Sequence, residues 1–249
     1  MTPGAPNPPN PATPPTPAST PAPPIAVRTP AWPMYRAMVG IGLACGILIV
    51  FAFQWTRPII ARNRAEALSR AIFQVLPAAK SSTTFRLADG GSFAVLVPNT
   101  KGAESAQVVH AGYDASGELV GFAIQAQGMG YQDVISVLYA YSPEEHAVTG
   151  FRVLESRETP GLGDKIDVDP GFLANFERLA VELTADLSAV VHPIESVKHG
   201  EKTESWQIDA ITGATVSSVA VAKILRESTA FWAPKLHPHL DDFRQGENR

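Results

Sequence analysis

The sequence has one cysteine in 249 residues, six scattered histidines and no basic patch interleaved with aromatics, and each scarcity removes a class of function. A lone Cys45 excludes a disulfide framework or a thiolate metal cluster within the chain. Of the histidines only His237 and His239 are close in sequence, near a charged C-terminus, so no metal site is expected. A net charge of −4 without a basic stripe makes nucleic acid an unexpected partner.

What is present is unevenly spread. Residues 1–33 hold thirteen of the 22 prolines, with Ala, Thr and Ser between them. Such a segment cannot bury enough apolar surface to offset its ordering entropy, so it reads as a disordered or polyproline-like tail, either a solvated arm or a ligand for a recognition module. Residues 37–53 then carry no charge. Trp32 and Tyr35 precede them, Gln54 and Trp55 follow, and Arg36 and Arg57 bracket them. The nineteen residues from Ala37 to Trp55 suffice to cross a hydrocarbon core with aromatics at both interfaces, which predicts a transmembrane helix over 34–57. A cleaved signal peptide is the competing reading. The run is longer than an h-region, and Arg57-Pro-Ile-Ile-Ala-Arg62 stands where a small-x-small cleavage site belongs, which favours an uncleaved anchor. Gly42 and Gly46 form a small-xxx-small pair. The charges flanking the span, Arg28 and Arg36 against Arg57, Arg62, Arg64 and Arg70, slightly favour a cytoplasmic C-terminal side.

Residues 58–79 are expected to continue as a membrane-proximal linker helix, with Ile59, Ile60, Ala67, Ala71, Ile72 and Val75 on its apolar face and Pro77 ending it. Its arginines would meet anionic lipid or form a solvated basic face. A domain over 80–249 follows. The runs 92–97, 107–113, 118–125, 134–141 and 146–154 are β-rich and separated by turn residues, which predicts an antiparallel meander with hairpins over 108–125 and 135–154 and a flexible crossing at 128–131. A short helix is expected over 170–179, a strand at best over 187–191, a polar loop over 198–204 and a last strand over 206–209. The closing helix should bury Val219, Ala220, Ile224 and Phe231 and stop at Pro234. The expected class is α+β: an N-terminal transmembrane helix, then a twisted antiparallel sheet with flanking helices.

Two stretches carry chemistry. In Asp209-Ala-Ile-Thr-Gly-Ala-Thr215, Gly213 permits a positive φ, and Thr215, Ser217 and Ser218 fall at or near a first helical turn, where unpaired N–H groups and the helix dipole suit a phosphate. A hydroxyl beside that anion is open to esterification. The plain alternative is that Thr212 or Thr215 only caps the helix. In Glu158-Thr-Pro-Gly-Leu-Gly163, Pro160 and Gly161 demand a tight turn, and two glycines let a flat group approach the backbone. Here the alternative is a Pro-Gly turn with a leucine plugged into the core.

The first stretch resembles the Asp-x-x-(Ser/Thr)-Gly-Ala-Thr pattern of FMN-binding domains in which a flavin transferase attaches FMN through its phosphate. The acceptor threonine falls on Thr215, and Val216 departs from the Ser or Thr that often follows it. The second resembles the signature shared by the G subunit of the Rnf electron-transport complex and the C subunit of the sodium-pumping NADH:quinone reductase, with Asp164-Lys165 closer to the Rnf member. The resemblance spans roughly residues 35 to 235. It implies a covalent phosphoester of FMN on Thr215, with Thr212, Gly213 and Ala214 around it. It further implies Glu158, Thr159, Leu162 and Gly163 along the isoalloxazine side, with Lys165 near. No catalytic residue is implied, because the flavin itself supplies the redox chemistry. The implied role is an electron carrier between NADH and ferredoxin in a complex that moves Na⁺ or H⁺. Its partners would be the other membrane and peripheral subunits, a flavin transferase and membrane lipid. The implied location is the bacterial inner membrane, single-pass, with the domain on the periplasmic side, against the charge count. The alternatives are a stand-alone or regulatory FMN-binding membrane protein, the C subunit of the reductase, and a structural protein of the same fold without flavin.

Overall fold

A computed structural model of the chain describes residues 30–88, 90–96 and 107–244. The proline-rich segment expected over 1–33 lies outside the described residues apart from 30–33. By contacts the chain divides into a unit over 1–56 and a unit over 57–249. Helix α1, Trp32–Val75, begins in the first and ends in the second.

In the first unit, α1 is long and apolar enough to cross a membrane. Its large side chains, from Trp32 to Trp55, are all exposed. A helix satisfies its backbone groups internally, so it is the one local structure that can carry such a surface into lipid. The helix runs on through Pro58 without a break, as the expected continuation into a linker helix requires. Thr56 just before it donates its hydroxyl to the Ala52 carbonyl at 2.9 Å.

In the second unit only the last turns of α1 are covered: Ala71, Ile72 and Val75 are buried, whereas Ile59 and Ile60 are exposed. The apolar face expected along the whole linker helix is therefore confined to its end. A seven-stranded antiparallel sheet follows, built from β1 (Ser81–Leu87), β2 (Phe93–Val95), β3 (Val108–Tyr113), β4 (Leu119–Met129), β5 (Val134–Ser142), β6 (Ala147–Glu155) and β7 (Leu179–Ala180), in the order β2-β1-β3-β4-β5-β6-β7. Alternation along β4 and β5 sends side chains to two different cores. Phe122, Ile124, Val137, Tyr139 and Tyr141 pack with Val221, Ile224, Leu225 and Trp232 of the closing helix. Ala123, Leu138 and Ala140 pack with Ile72, Val75 and Leu76. The second face is kept small so that the end of α1 can seat on it: a Cβ at Gly112 would lie 2.9 Å from a Leu76 methyl, and one at Gly150 would strike the Val75 carbonyl.

The α+β meander is as expected, with local differences. β1 and the polar half of β4, Gln125 to Met129, pair as strands without an apolar pattern, because their partners β3 and β5 supply the ladder. β4 and β5 stay in register to Met129↔Val134, so the expected flexible crossing over 128–131 is replaced by a tight turn closed by Gly130 N–H to Asp133 O at 2.9 Å. The helix expected over 170–179 is shorter, α2 at Pro170–Ala174, with Asp169 capping Phe172 N–H at 2.9 Å. Leu179 and Ala180 leave the helix to pair with β6. The strand expected over 187–191 is a single bridge between Leu183 and Val190.

A small parallel pair, β8 (Glu195–Val197) and β9 (Gln207–Asp209), delivers the chain to α3, Thr215–Leu236. Helix α3 passes Pro234, which sits in its last turn, where the missing N–H costs one bond. Val219 is exposed rather than part of the buried face, and Ser217, Ser218 and Thr229 are buried instead. A 3₁₀ turn and α4 (Leu240–Arg244) end the described chain, with Phe243 packed edge-on against Phe85 and Phe122.

Candidate functional site

Two glycine turns face each other across a cavity of about 330 Å³. The first is closed by Leu162 N–H to Thr159 O at 3.1 Å, with Gly161 at φ +77. The second is closed by Ala214 N–H to Ile211 O at 3.0 Å, with Gly213 at φ +85. In each turn glycine holds the third position, where a side chain would be strained by positive φ.

The second turn is fixed from three sides. β9 holds its entry, and buried Asn175 grips the backbone of Asp209 at both ends: Oδ1 accepts Asp209 N–H at 3.0 Å, and Nδ2 donates to Asp209 O at 3.3 Å. Asp209 in turn accepts Gly200 N–H at 2.7 Å and pairs with His199 at 3.1 Å. From the helix side, fully buried Ser218 accepts Ile211 N–H at 3.1 Å and donates to Ala214 O at 3.0 Å. Neither threonine caps α3. The capping position is Ala214, and no side chain bonds there. Thr212 and Thr215 are both exposed, and the first-turn N–H groups of a 22-residue helix are left for an outside acceptor.

The first turn is fixed by Glu158, which is only 5% exposed. Its Oε1 accepts the N–H groups of Tyr131 at 3.0 Å and Gln132 at 3.1 Å, and its Oε2 accepts the Ser217 hydroxyl at 2.5 Å. One carboxylate thus joins the β4–β5 turn, its own loop and the first turn of α3. The close approach that Gly163 permits is to this carboxylate and not to an outside group: a Cβ there would lie 2.7 Å from Glu158 Oε2 and 2.8 Å from Ser217 Oγ.

Of the residues that the sequence points to, Glu158, Thr159, Leu162, Gly163, Gly213, Ala214 and Thr215 line this cavity. Lys165 and Thr212 line a smaller neighbouring one of about 190 Å³ with His199 and Asp209. Tyr131, Val216 and Ser217 complete the wall, and sequence reasoning misses Tyr131 and Val216 as pocket residues. The one signal for Tyr131 is an aromatic side chain in the glycine-flanked turn 128–131. Tyr131, Leu162 and Val216 are 67%, 50% and 56% exposed, so the mouth is apolar and its floor is a helix N-terminus with a free hydroxyl. That donor set fits FMN: the helix end suits the phosphate and the apolar rim suits a flat ring. Among the described residues no group of three or more His, Cys, Asp or Glu side chains is placed to hold a metal ion.

Comparison with known proteins gives three findings. Residues 130–230 match the FMN-binding domain family. The chain is 30% identical over 197 residues to the G subunit of the ion-translocating oxidoreductase complex of Methanosarcina acetivorans, covering 78% of this chain and 90% of that one. It is also 30% identical over 198 residues to the protein of the same name from Aliivibrio fischeri, covering 78% and 86%. The crystal structure of Shewanella oneidensis NqrC superposes with a TM-score of 0.53 at 18% identity, over 74% of this chain and 99% of that one, which is a likeness of fold.

Proposed function

Because the chain belongs to the family of G subunits of ion-translocating oxidoreductase complexes, we propose that it is the FMN-carrying, membrane-anchored electron-transfer subunit of such a complex, with the flavin phosphate esterified to Thr215. When bound, FMN supplies one- and two-electron redox chemistry. The protein contributes tethering and orientation. The N–H groups that open α3 would receive the phosphate, and the Thr215 hydroxyl would lose its proton and displace the leaving group of an activated flavin phosphate supplied by the transferase, so that the new ester would hold a cofactor that otherwise diffuses away. Tyr131, Leu162 and Val216 offer apolar surface to the ring, while Thr159 to Gly163 close the opposite wall. Lys165 and Thr212 lie one cavity away and act at most on the phosphate side.

The observation that carries this reading is an exposed threonine hydroxyl on an uncapped helix N-terminus, opening onto the same cavity as the Pro-Gly loop. Within the complex the protein relays electrons between NADH and ferredoxin as Na⁺ or H⁺ is moved, and it contacts other membrane and peripheral subunits. Its α1 anchors it in the inner membrane, with residues 80–249 as the FMN-binding domain on the periplasmic side, where the flavin transferase works. Co-expression with a flavin transferase should give a chain that fluoresces in a denaturing gel. Thr215→Ala should abolish that fluorescence and Thr212→Ala should retain some. A flavin adduct mapped by mass spectrometry to any other residue, or a wild-type chain without one, overturns the assignment. A C-terminal alkaline phosphatase fusion should be active, and an inactive fusion beside a fluorescent cytoplasmic reporter would reverse the topology.

A further inference from the structure

The carboxylate of Glu158 is set into the cavity wall among hydrogen-bond donors and, among the described residues, without an ion-pair partner. It is 5% exposed, three donors converge on it, and none of the ion pairs among the described residues includes it. Burying a charge without a cation costs stability, and an apolar side chain of similar volume packs at least as well in such a place. The fold nevertheless makes room for it with two glycines: a Cβ at Gly130 would lie 2.5 Å from Oε1, and one at Gly163 would lie 2.7 Å from Oε2. A glutamine would satisfy the same two backbone N–H groups. What the acid adds is a fixed negative charge.

We propose that Glu158 holds down the reduction potential of the flavin bound in this cavity, by placing a buried negative charge beside the site that electrons enter. The proposal rests on the reading of the cavity as the flavin site. Any occupant of a space of about 330 Å³ lies well inside one screening length of a wall residue, and a buried charge is screened little by salt. A neighbouring anion opposes the arrival of electrons, so the bound group is harder to reduce than it would be beside a neutral amide. The Ser217 hydroxyl, which donates to Oε2, points its positive hydrogen at the carboxylate and offsets part of that field.

Two substitutions therefore move the potential in opposite directions. The full chain, flavinylated and in detergent, is titrated spectroelectrochemically at neutral pH, with flavin content read from gel fluorescence. Glu158→Gln keeps the acceptor for Tyr131 and Gln132 and should shift the two-electron reduction equilibrium at least tenfold toward the reduced form, about 30 mV. Ser217→Ala, a change that a helix accepts readily, removes the offsetting dipole and should shift the midpoint to more negative values. Simple loosening of the pocket would move both variants the same way. The proposal is overturned if Glu158→Gln with full flavin content titrates like wild type, or if both variants shift in one direction. Should Glu158→Gln fail to fold, a midpoint for Ser217→Ala that is unchanged or more positive overturns it alone. A wild-type chain that carries no flavin overturns the underlying reading, and the tuning role with it.

Discussion

Replacing Gly163 by alanine tests how tightly the Pro-Gly loop is locked to α3. The added methyl would stand 2.7 Å from Glu158 Oε2, 2.8 Å from Glu158 Cβ and 2.8 Å from Ser217 Oγ. These are not free ends of flexible chains, since the carboxylate is held by three donors and Cβ is fixed to the backbone. Relief requires the loop to move off the helix and break the Ser217 bond. Overpacking of a tight site costs about 1–3 kcal/mol, and a hydrogen bond to a charged group contributes about 1.5–3 kcal/mol. The two overlap, so a loss of about 3 kcal/mol is expected, or about 10 °C in melting temperature for a domain of this size. Gly161→Ala is the comparison. Nothing lies within 4 Å of its added methyl, and its φ of +77 alone should cost about 1–2 kcal/mol. Thermal unfolding of the full chain in detergent, followed by the fluorescence of buried Trp232, measures both. A Gly163→Ala protein that melts within about 2 °C of wild type, or above Gly161→Ala, would falsify the three-way lock, on a scale of about 2–4 °C per kcal/mol.

Two further outcomes follow from buried polar groups. Burial holds His110 down to about 4 from its ordinary 6.5, so between these values the unfolded chain binds a proton that the folded one refuses. Stability should therefore fall as pH drops from 6.5 to about 4, by about 3 kcal/mol at most, and His110→Gln should flatten that part of the melting-temperature profile; equal slopes for both proteins would exclude the effect. Asn175→Leu should cost about 3 kcal/mol, since Asp209 loses partners for both its N–H and its carbonyl. Chemical denaturation in matched detergent measures it, and a midpoint equal to wild type would mean that water replaces the amide.

Which parts of this arrangement are legible in the sequence depends on whether their cause is local. β5 reads as a strand because its alternation reflects two cores, and the glycine turns read as turns because positive φ leaves few other residues. The short strands β7 and β8 have two or three residues each, too few to show a period, and β7 owes its pairing to β6 much earlier in the chain, whereas β9 falls within the last strand expected over 206–209. The buried face of α3 escapes a hydropathy pattern for a related reason. Ser217 and Ser218 are polar by composition but buried through bonds to Glu158 and to Ile211 and Ala214, and periodicity cannot register a partner 59 positions away. The candidate residues come to light through a family resemblance, whereas Tyr131 needs the β4–β5 turn to be folded before it can join them.

The amide of Asn175 has a wider effect than steadying one turn. A short ribbon of two strands ordinarily leaves a flank of unpaired peptide groups, and such a flank invites a stray chain to add itself as a third strand. Here one side chain imitates that missing neighbour at Asp209, taking up both peptide groups of the residue that leads to the threonine. Those two groups are thereby unavailable to an added strand, and Thr215 beyond them stays exposed.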